Sequence, residues 1–184
     1  MTEKQDIAIY RKYLNGLIES NSSELFFNEN KEHASAVMAC IFRNSKDIVR
    51  IMAKSLSGDV SGNDEYRSAL FGFLNKGGKL KVLLNGYTPD ILNTSKILSV
   101  FKAHNSLAPA NRVVVKNAHG LRFTLSSTGN EAHFTVGDNR LYRVEKDVEK
   151  YTAFGSFNDS SACNKLIESF DLAFDSPNHS VIPV

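Results

Sequence analysis

Residues 131–161 read EAHFTVGDNRLYRVEKDVEKYTAFGSFNDSS. In an extended chain, side chains two apart share a face. His133 and Thr135 therefore point one way, and Phe134 and Val136 the other. Gly137-Asp138-Asn139 is hairpin chemistry, which turns Arg140 onward back beside the first strand. Tyr151 to Phe157 reads as a further strand, and Asn158-Asp159-Ser160 supplies capping residues for a helix beginning near Ser161. A helix start carries unpaired N–H groups and a partial positive charge, so it suits a phosphate. A histidine near it becomes a candidate for phosphate-ester chemistry. The bland reading stands beside this one: a lone strand histidine is often a packing residue, and Ser, Asn and Asp at such a junction often serve only as caps.

Outward from this stretch, the chain alternates helical and extended patterns. Residues 3–20 form an amphipathic helix on Ile7, Tyr10, Leu14, Leu17 and Ile18. Leu25-Phe26-Phe27 is a short strand, Lys31 to Phe42 a helix rich in small residues, and Asp47 to Ser55 a buried strand. Ser57 to Asn63 is expected as a loop, with Asp64 capping a helix that Lys76-Gly77-Gly78 ends. Lys79 to Leu84 is a strand, and the strand–helix–strand order implies a parallel pair. Thr88-Pro89-Asp90 opens one helix through about Ala103, and His104 to Ala110 connects it to a strand at Arg112 to Lys116. Leu121, Phe123 and Leu125 alternate as a half-exposed strand, and Ala162 to Phe174 is a clean amphipathic helix. Residues 177–184 form a short tail. The count is about seven strands and about five helices, an α/β architecture in which a mixed sheet is covered by helices.

Composition narrows the class. The 184 residues fit one domain with a substantial core, divided into an N-terminal helix (1–23), a core (24–176) and the tail. The net charge of +2 neither demands nor excludes nucleic acid. Cys40 and Cys163 lie far apart and in no ligand-spaced cluster, so they read as buried thiols of a reducing compartment. No apolar run approaches a membrane span, and residues 1–20 are too charged for a signal peptide, so a cytoplasmic location is expected. Among the other candidates, His119 in the Asn117–Gly120 loop is a second histidine for the site, although a surface role is the commoner fate of a loop histidine. Glu145, Asp147 and Glu149 alternate with lysines and read as a solvated charged loop rather than a metal site.

With these elements in place, the chain resembles a single-domain member of the phospholipase D-like superfamily. That family's signature is His-x-Lys, four residues, Asp, then Gly-Ser with a following Asn. Here His133-Phe134-Thr135 occupies the first part and Gly155-Ser156-Phe157-Asn158 the second. The Ala-rich helix, the strand Ile-Val-Arg-Ile-Met-Ala and the Lys76-Gly77-Gly78-Lys79 turn also follow the pattern, so the likeness spans roughly 24–176. The resemblance implies a phospholipase D-like sandwich in which one histidine attacks phosphorus, forming a phosphohistidine, while a second protonates the leaving oxygen. It implies catalytic His133, with Ser156, Asn158 and Thr135 binding phosphate oxygens. It implies neither metal nor cofactor, and a homodimer that pairs two His133 side chains.

The motif departs from the pattern: Thr135 replaces the lysine, Arg140 stands at the aspartate position, and Asp138 is out of register. Arg143, one strand over, is a candidate replacement cation. The expected protein is thus a pseudoenzyme-like homodimer with a degenerate motif, binding or weakly hydrolysing phosphodiesters, with nucleic acid ahead of lipid. Any activity would be that of a metal-independent nuclease or phosphodiesterase. The competing reading is an inactive module that keeps the fold and binds a protein partner. The expectation is geometric: the His133 imidazole and the Asn158 amide should open from neighbouring strands into one hollow.

Overall fold

The computed structural model of the chain describes residues 3–125, 129–147 and 150–184. Among these residues one sheet of eight strands has the order β1-β7-β6-β5-β2-β3-β4-β8. Its strands are β1 (Phe26–Asn28), β2 (Ile48–Ala53), β3 (Lys79–Leu84), β4 (Val114–Asn117), β5 (His133–Gly137), β6 (Leu141–Asp147), β7 (Thr152–Ser156) and β8 (Ser180–Val181). β2, β3 and β4 run parallel, as the helical crossovers between them require. The hairpin strands β5, β6 and β7, with β1 on the edge, are antiparallel. The sheet is therefore mixed, and helices cover both faces.

One face carries α1 (Glu3–Glu19), α2 (Lys31–Asn44), α4 (Asp64–Asn75) and α6 (Lys96–Leu107). Their apolar stripes meet Phe26, Val49, Ile51, Leu80, Val82 and Val115 in the larger core. The other face carries α7 (Ser160–Phe174), whose Phe170 and Phe174 pack with Phe134, Val136, Tyr142 and Val144. The parity of β5 read from the sequence thus holds: Phe134 and Val136 belong to the α7 core, and His133 and Thr135 face the other way.

Several local expectations change. Ser57–Asn63 is not all loop, because Asp59–Gly62 forms a turn of helix, α3, and Asn63 rather than Asp64 caps α4 by accepting from the Glu65 N–H at 2.9 Å. The helix expected from Thr88 to Ala103 is broken into α5 (Ile91–Thr94) and α6. Ser95 lies at the break, where its hydroxyl accepts from the Leu98 N–H and donates to the Leu56 carbonyl at 2.8 Å. Helix α6 then runs through His104, whose ring bonds the Asn111 carbonyl, so the expected connection is shorter. Leu121–Leu125 is no strand among the described residues; only Thr124 bridges to Glu131, and Phe123 instead packs edge-on to Phe134 at 5.0 Å. The tail supplies the unexpected strand β8, which pairs with β4 and buries Ile182.

Both cysteines are buried. Burial pushes the Cys40 thiol up to about 11 and the Cys163 thiol up to about 12. Among the described residues no helix is long and apolar enough to cross a membrane.

Candidate functional site

The parallel strands end at a hollow. Such crevices beyond the carboxyl ends of parallel strands are where open α/β sheets place ligands. Strand β5 runs antiparallel to β2 with Phe134 opposite Met52, so His133 lies level with Ala53 at that end. Strand β6 pairs His133 with Glu145 and Thr135 with Arg143. Directly paired residues share a face, so all four side chains point to the same side. A cavity of about 290 Å³ opens there. His133, Thr135, Arg143, Glu145 and Tyr66 form its polar part, and Met38, Ile51, Leu56 and Val60 supply apolar wall.

Arg143 anchors the polar end. Its Nε donates to Asn28 Oδ1 at 3.0 Å and its Nη2 to Glu145 Oε1 at 2.9 Å. Asn28, on the edge strand β1, is itself held by donating to the Tyr151 carbonyl. This fixes the guanidinium plane and leaves its charge inside the fold. Glu145 Oε2 lies 3.6 Å from His133 Nδ1, and Glu131 Oε1 lies 3.6 Å from His133 Nε2. Burial alone would push the Glu145 carboxyl up. Contact with His133 and the charge and hydrogen bond of Arg143 together outweigh that and hold it below the usual carboxylate range. Glu145 is therefore a partly buried anion lining the hollow, not the solvated loop residue the sequence suggested. Asp147 lies past a bulge in the β6–β7 pairing, and Glu149 is outside the described residues. Among the described residues no three His, Cys, Asp or Glu side chains converge as metal ligands would.

Two residues that line this hollow carry a buried polar atom that makes no hydrogen bond: His133, 7% exposed, at Nε2, which has the Glu131 carboxylate 3.6 Å away, and Tyr66, 1% exposed, at its hydroxyl. Burial pushes the Tyr66 phenol far above its ordinary value, so the group stays a neutral hydroxyl donor.

Not every expected residue arrives. Ser156 pairs with Tyr142, which pairs with Val136, so it lies on the α7 face and is 0% exposed. It is also three residues along the strands from the His133 level, about 10 Å. Its Oγ accepts from the Asn158 N–H at 3.2 Å, and the Asn158 amide donates to the Asn21 carbonyl at 2.7 Å. The Gly-Ser-Phe-Asn stretch thus closes the β7–α7 junction, and the common hollow expected for His133 and Asn158 does not form. Gly155 has a packing role: a Cβ there would lie 2.1 Å from the Tyr142 carbonyl oxygen and 2.5 Å from the Phe26 ring. The start of α7, capped by Asp159 on the Ala162 N–H, is likewise at the far end of the sheet from His133. His119 is exposed in the loop after β4, three strands from β5, and does not line the hollow.

Asp138 and Arg140, at the hairpin, have structural work. Asp138 accepts from the N–H groups of Lys46, Asp47 and Ile48 at 2.8, 3.0 and 3.0 Å. Arg140 donates to the carbonyls of Phe157 and Asn44. Asn28 and Tyr66 were not singled out from the sequence. For Glu145 a signal existed, since opposite charges at 143 and 145 share one strand face.

No protein-family model matches the sequence, and no curated protein matches it. Solved structures do. TrmBL2, an archaeal chromatin protein, aligns over 92% of this chain with a TM-score of 0.56 and 12% identity. This chain spans 59% of that protein's length. Nuc, a phospholipase D family member from Salmonella typhimurium, aligns over 88% of this chain and 100% of its own, with a TM-score of 0.58 and 10% identity. NucT from Helicobacter pylori aligns over 83% and 98%, with a TM-score of 0.54 and 10% identity. At such identities the likeness is one of fold, and that fold is phospholipase D-like.

Proposed function

We propose that this chain, built on the phospholipase D-like fold, binds phosphodiesters in the hollow around His133 and hydrolyses them slowly. One observation carries the reading. His133, whose Nε2 makes no hydrogen bond, lines the same hollow as Arg143, which stands directly across the sheet from Thr135. Thr135 is where the resemblance puts a lysine, so a fixed guanidinium one strand over supplies the missing cation. Arginine suits that place, because it stays charged when buried and offers several donors to phosphate oxygens.

Glu145 lies 3.6 Å from Nδ1 and orients the imidazole, while Glu131 lies as far from Nε2, so Nε2 attacks phosphorus only when the ring carries its proton at Nδ1 and Nε2 turns from Glu131 to the ester. Two features make the step slow. No second histidine lines the hollow among the described residues, so the usual proton donor to the leaving oxygen is missing. Glu131 and Glu145 also place negative charge within 3.6 Å of the imidazole, which opposes an incoming anion. The His133 side chain is 9% exposed, so we read the hollow as the site of one protomer. A homodimer is not needed to assemble it. TrmBL2 is described by a mode of DNA binding and another structure of this fold is a phosphatidylserine synthase, so the placing of nucleotide ahead of lipid esters is our own reading.

The test uses purified chain with labelled oligonucleotides and bis(p-nitrophenyl) phosphate, with and without a chelator. Salt-sensitive binding is expected, weakened about tenfold or more in Arg143→Ala. Slow cleavage that ignores the chelator and disappears in His133→Ala is expected with it. Binding that neither substitution alters, in variants that still fold, overturns the reading. Capture of a tight protein partner, with neither binding nor cleavage, supports the inactive module instead.

A further inference from the structure

We infer that the hollow takes a small organic phosphate of about mononucleotide size, with its phosphate at the His133–Arg143–Tyr66 end and one apolar or aromatic substituent against the Met38–Leu56–Val60 wall. This rests on the phosphate-binding reading and narrows it to a ligand class.

Three observations support the inference independently. The first is a pair of buried polar atoms without hydrogen bonds. Native folds seldom bury a donor or acceptor unsatisfied, yet the Tyr66 hydroxyl and His133 Nε2 are both buried, neither makes a hydrogen bond, and both residues line one cavity. They come from separate elements, α4 and β5, so one local packing accident does not explain both. A hydroxyl that stays protonated can donate to a phosphate oxygen, and the Arg143 guanidinium lies in the same cavity.

The second observation is size. The cavity holds about 290 Å³, at the lower end of roughly 300–1,000 Å³ for sites that bury most of a small ligand. That is room for a phosphate and one substituent. A duplex carries its phosphates on a broad convex surface and cannot seat one against a residue that is 7% exposed.

The third observation is the wall. Met38 is a buried core residue whose flexible thioether adapts to flat or irregular apolar groups. With Ile51, Leu56 and Val60, it makes a surface that inorganic phosphate alone would leave unused. An apolar substituent would gain affinity there by leaving water.

The experiment is isothermal titration of the full chain with four probes: inorganic phosphate, a nucleoside 5′-monophosphate, a short alkyl phosphate and a blunt DNA duplex. The expected result is that one of the two organic phosphates binds at least about tenfold tighter than inorganic phosphate. Whichever is tighter tells a nucleotide from a lipid-type source. Tyr66→Phe, which keeps the ring, should weaken that ligand about five- to tenfold. Val60→Phe, which fills the hollow without touching its polar end, should abolish organic-phosphate binding while the thermal midpoint holds. If inorganic phosphate binds as tightly as the organic ones, or Tyr66→Phe changes nothing, the inference fails and the phosphate reading stands. The same holds if the duplex binds best and Arg143→Ala weakens it. If no probe binds, the hollow holds water only, and both fall.

Discussion

At the scale of single residues, the candidate site centres on one charge pair, a buried Arg143 and a partly buried Glu145. Arg143 is tied to Asn28 and Glu145, and Glu145 reaches His133. Because the folded chain holds the Glu145 carboxyl below its usual range, Glu145 adds stability that is fully present above the ordinary carboxylate pKa. That contribution is lost as pH falls through the carboxylate range toward the folded value. Glu145→Gln should therefore be less stable than the parent by about 1–3 kcal/mol at pH 7. The gap should shrink below about pH 4. Paired denaturant titrations at pH 7 and in the acid range check this. Comparing the two proteins cancels Asp171, which Arg50 and Lys81 hold down in the same direction against the effect of burial. A gap that stays constant across pH would mean that Glu145 matters only for packing. The sequence reached Arg143 by a one-strand argument. It did not reach Asn28, 115 residues away.

At the scale of elements, the β5–β6 hairpin is the part that local chemistry specifies best. Its turn residues and two-residue alternation are local properties, readable without knowing what packs on them. What the sequence does not show is how the hairpin is fastened. Asp138 adopts φ 51° and takes three backbone N–H groups at the start of β2. Asp138→Ala should lose roughly 2–4 kcal/mol, since charge-assisted bonds go and three N–H groups lose their partner. The urea midpoint should fall with an unchanged slope. A loss well under 1 kcal/mol would show that water replaces the carboxylate without cost. Helix breaks are less legible. Ser95 sits inside an apolar period that continues on both sides, so periodicity alone runs α5 and α6 together. The break follows from the Ser95 bond to Leu56, a tertiary contact.

At the scale of the whole molecule, the sheet has two edges of different character. β1 is left as one edge, and β8 closes the other by pairing with β4. Beyond β8, the Ile182 N–H donates to the Val115 carbonyl at 2.8 Å, and the Asn105 amide donates to the Val184 carbonyl at 2.9 Å. Removing residues 177–184 should uncover β4, lower stability by roughly 2–4 kcal/mol through the loss of buried Ile182, and promote edge-to-edge association. Thermal melts with light scattering check both; an unchanged melting point and mass would mean that β8 is ornamental. The sequence by itself determined the α/β order of elements, the parallel crossover, the two faces of β5 and the buried thiols. Each of these follows from periodicity, turn chemistry or burial preference acting over a few residues. Only the tertiary structure decided that Arg143 lies across from Thr135 in one hollow with His133 and Tyr66, that Asn28 holds Arg143, and that Ser156 lies on the other face of the sheet. Those outcomes depend on strand register and face. A three-residue offset between paired strands changes both the level and the side of every side chain, and that offset is set by packing between distant segments rather than by any stretch of chain alone.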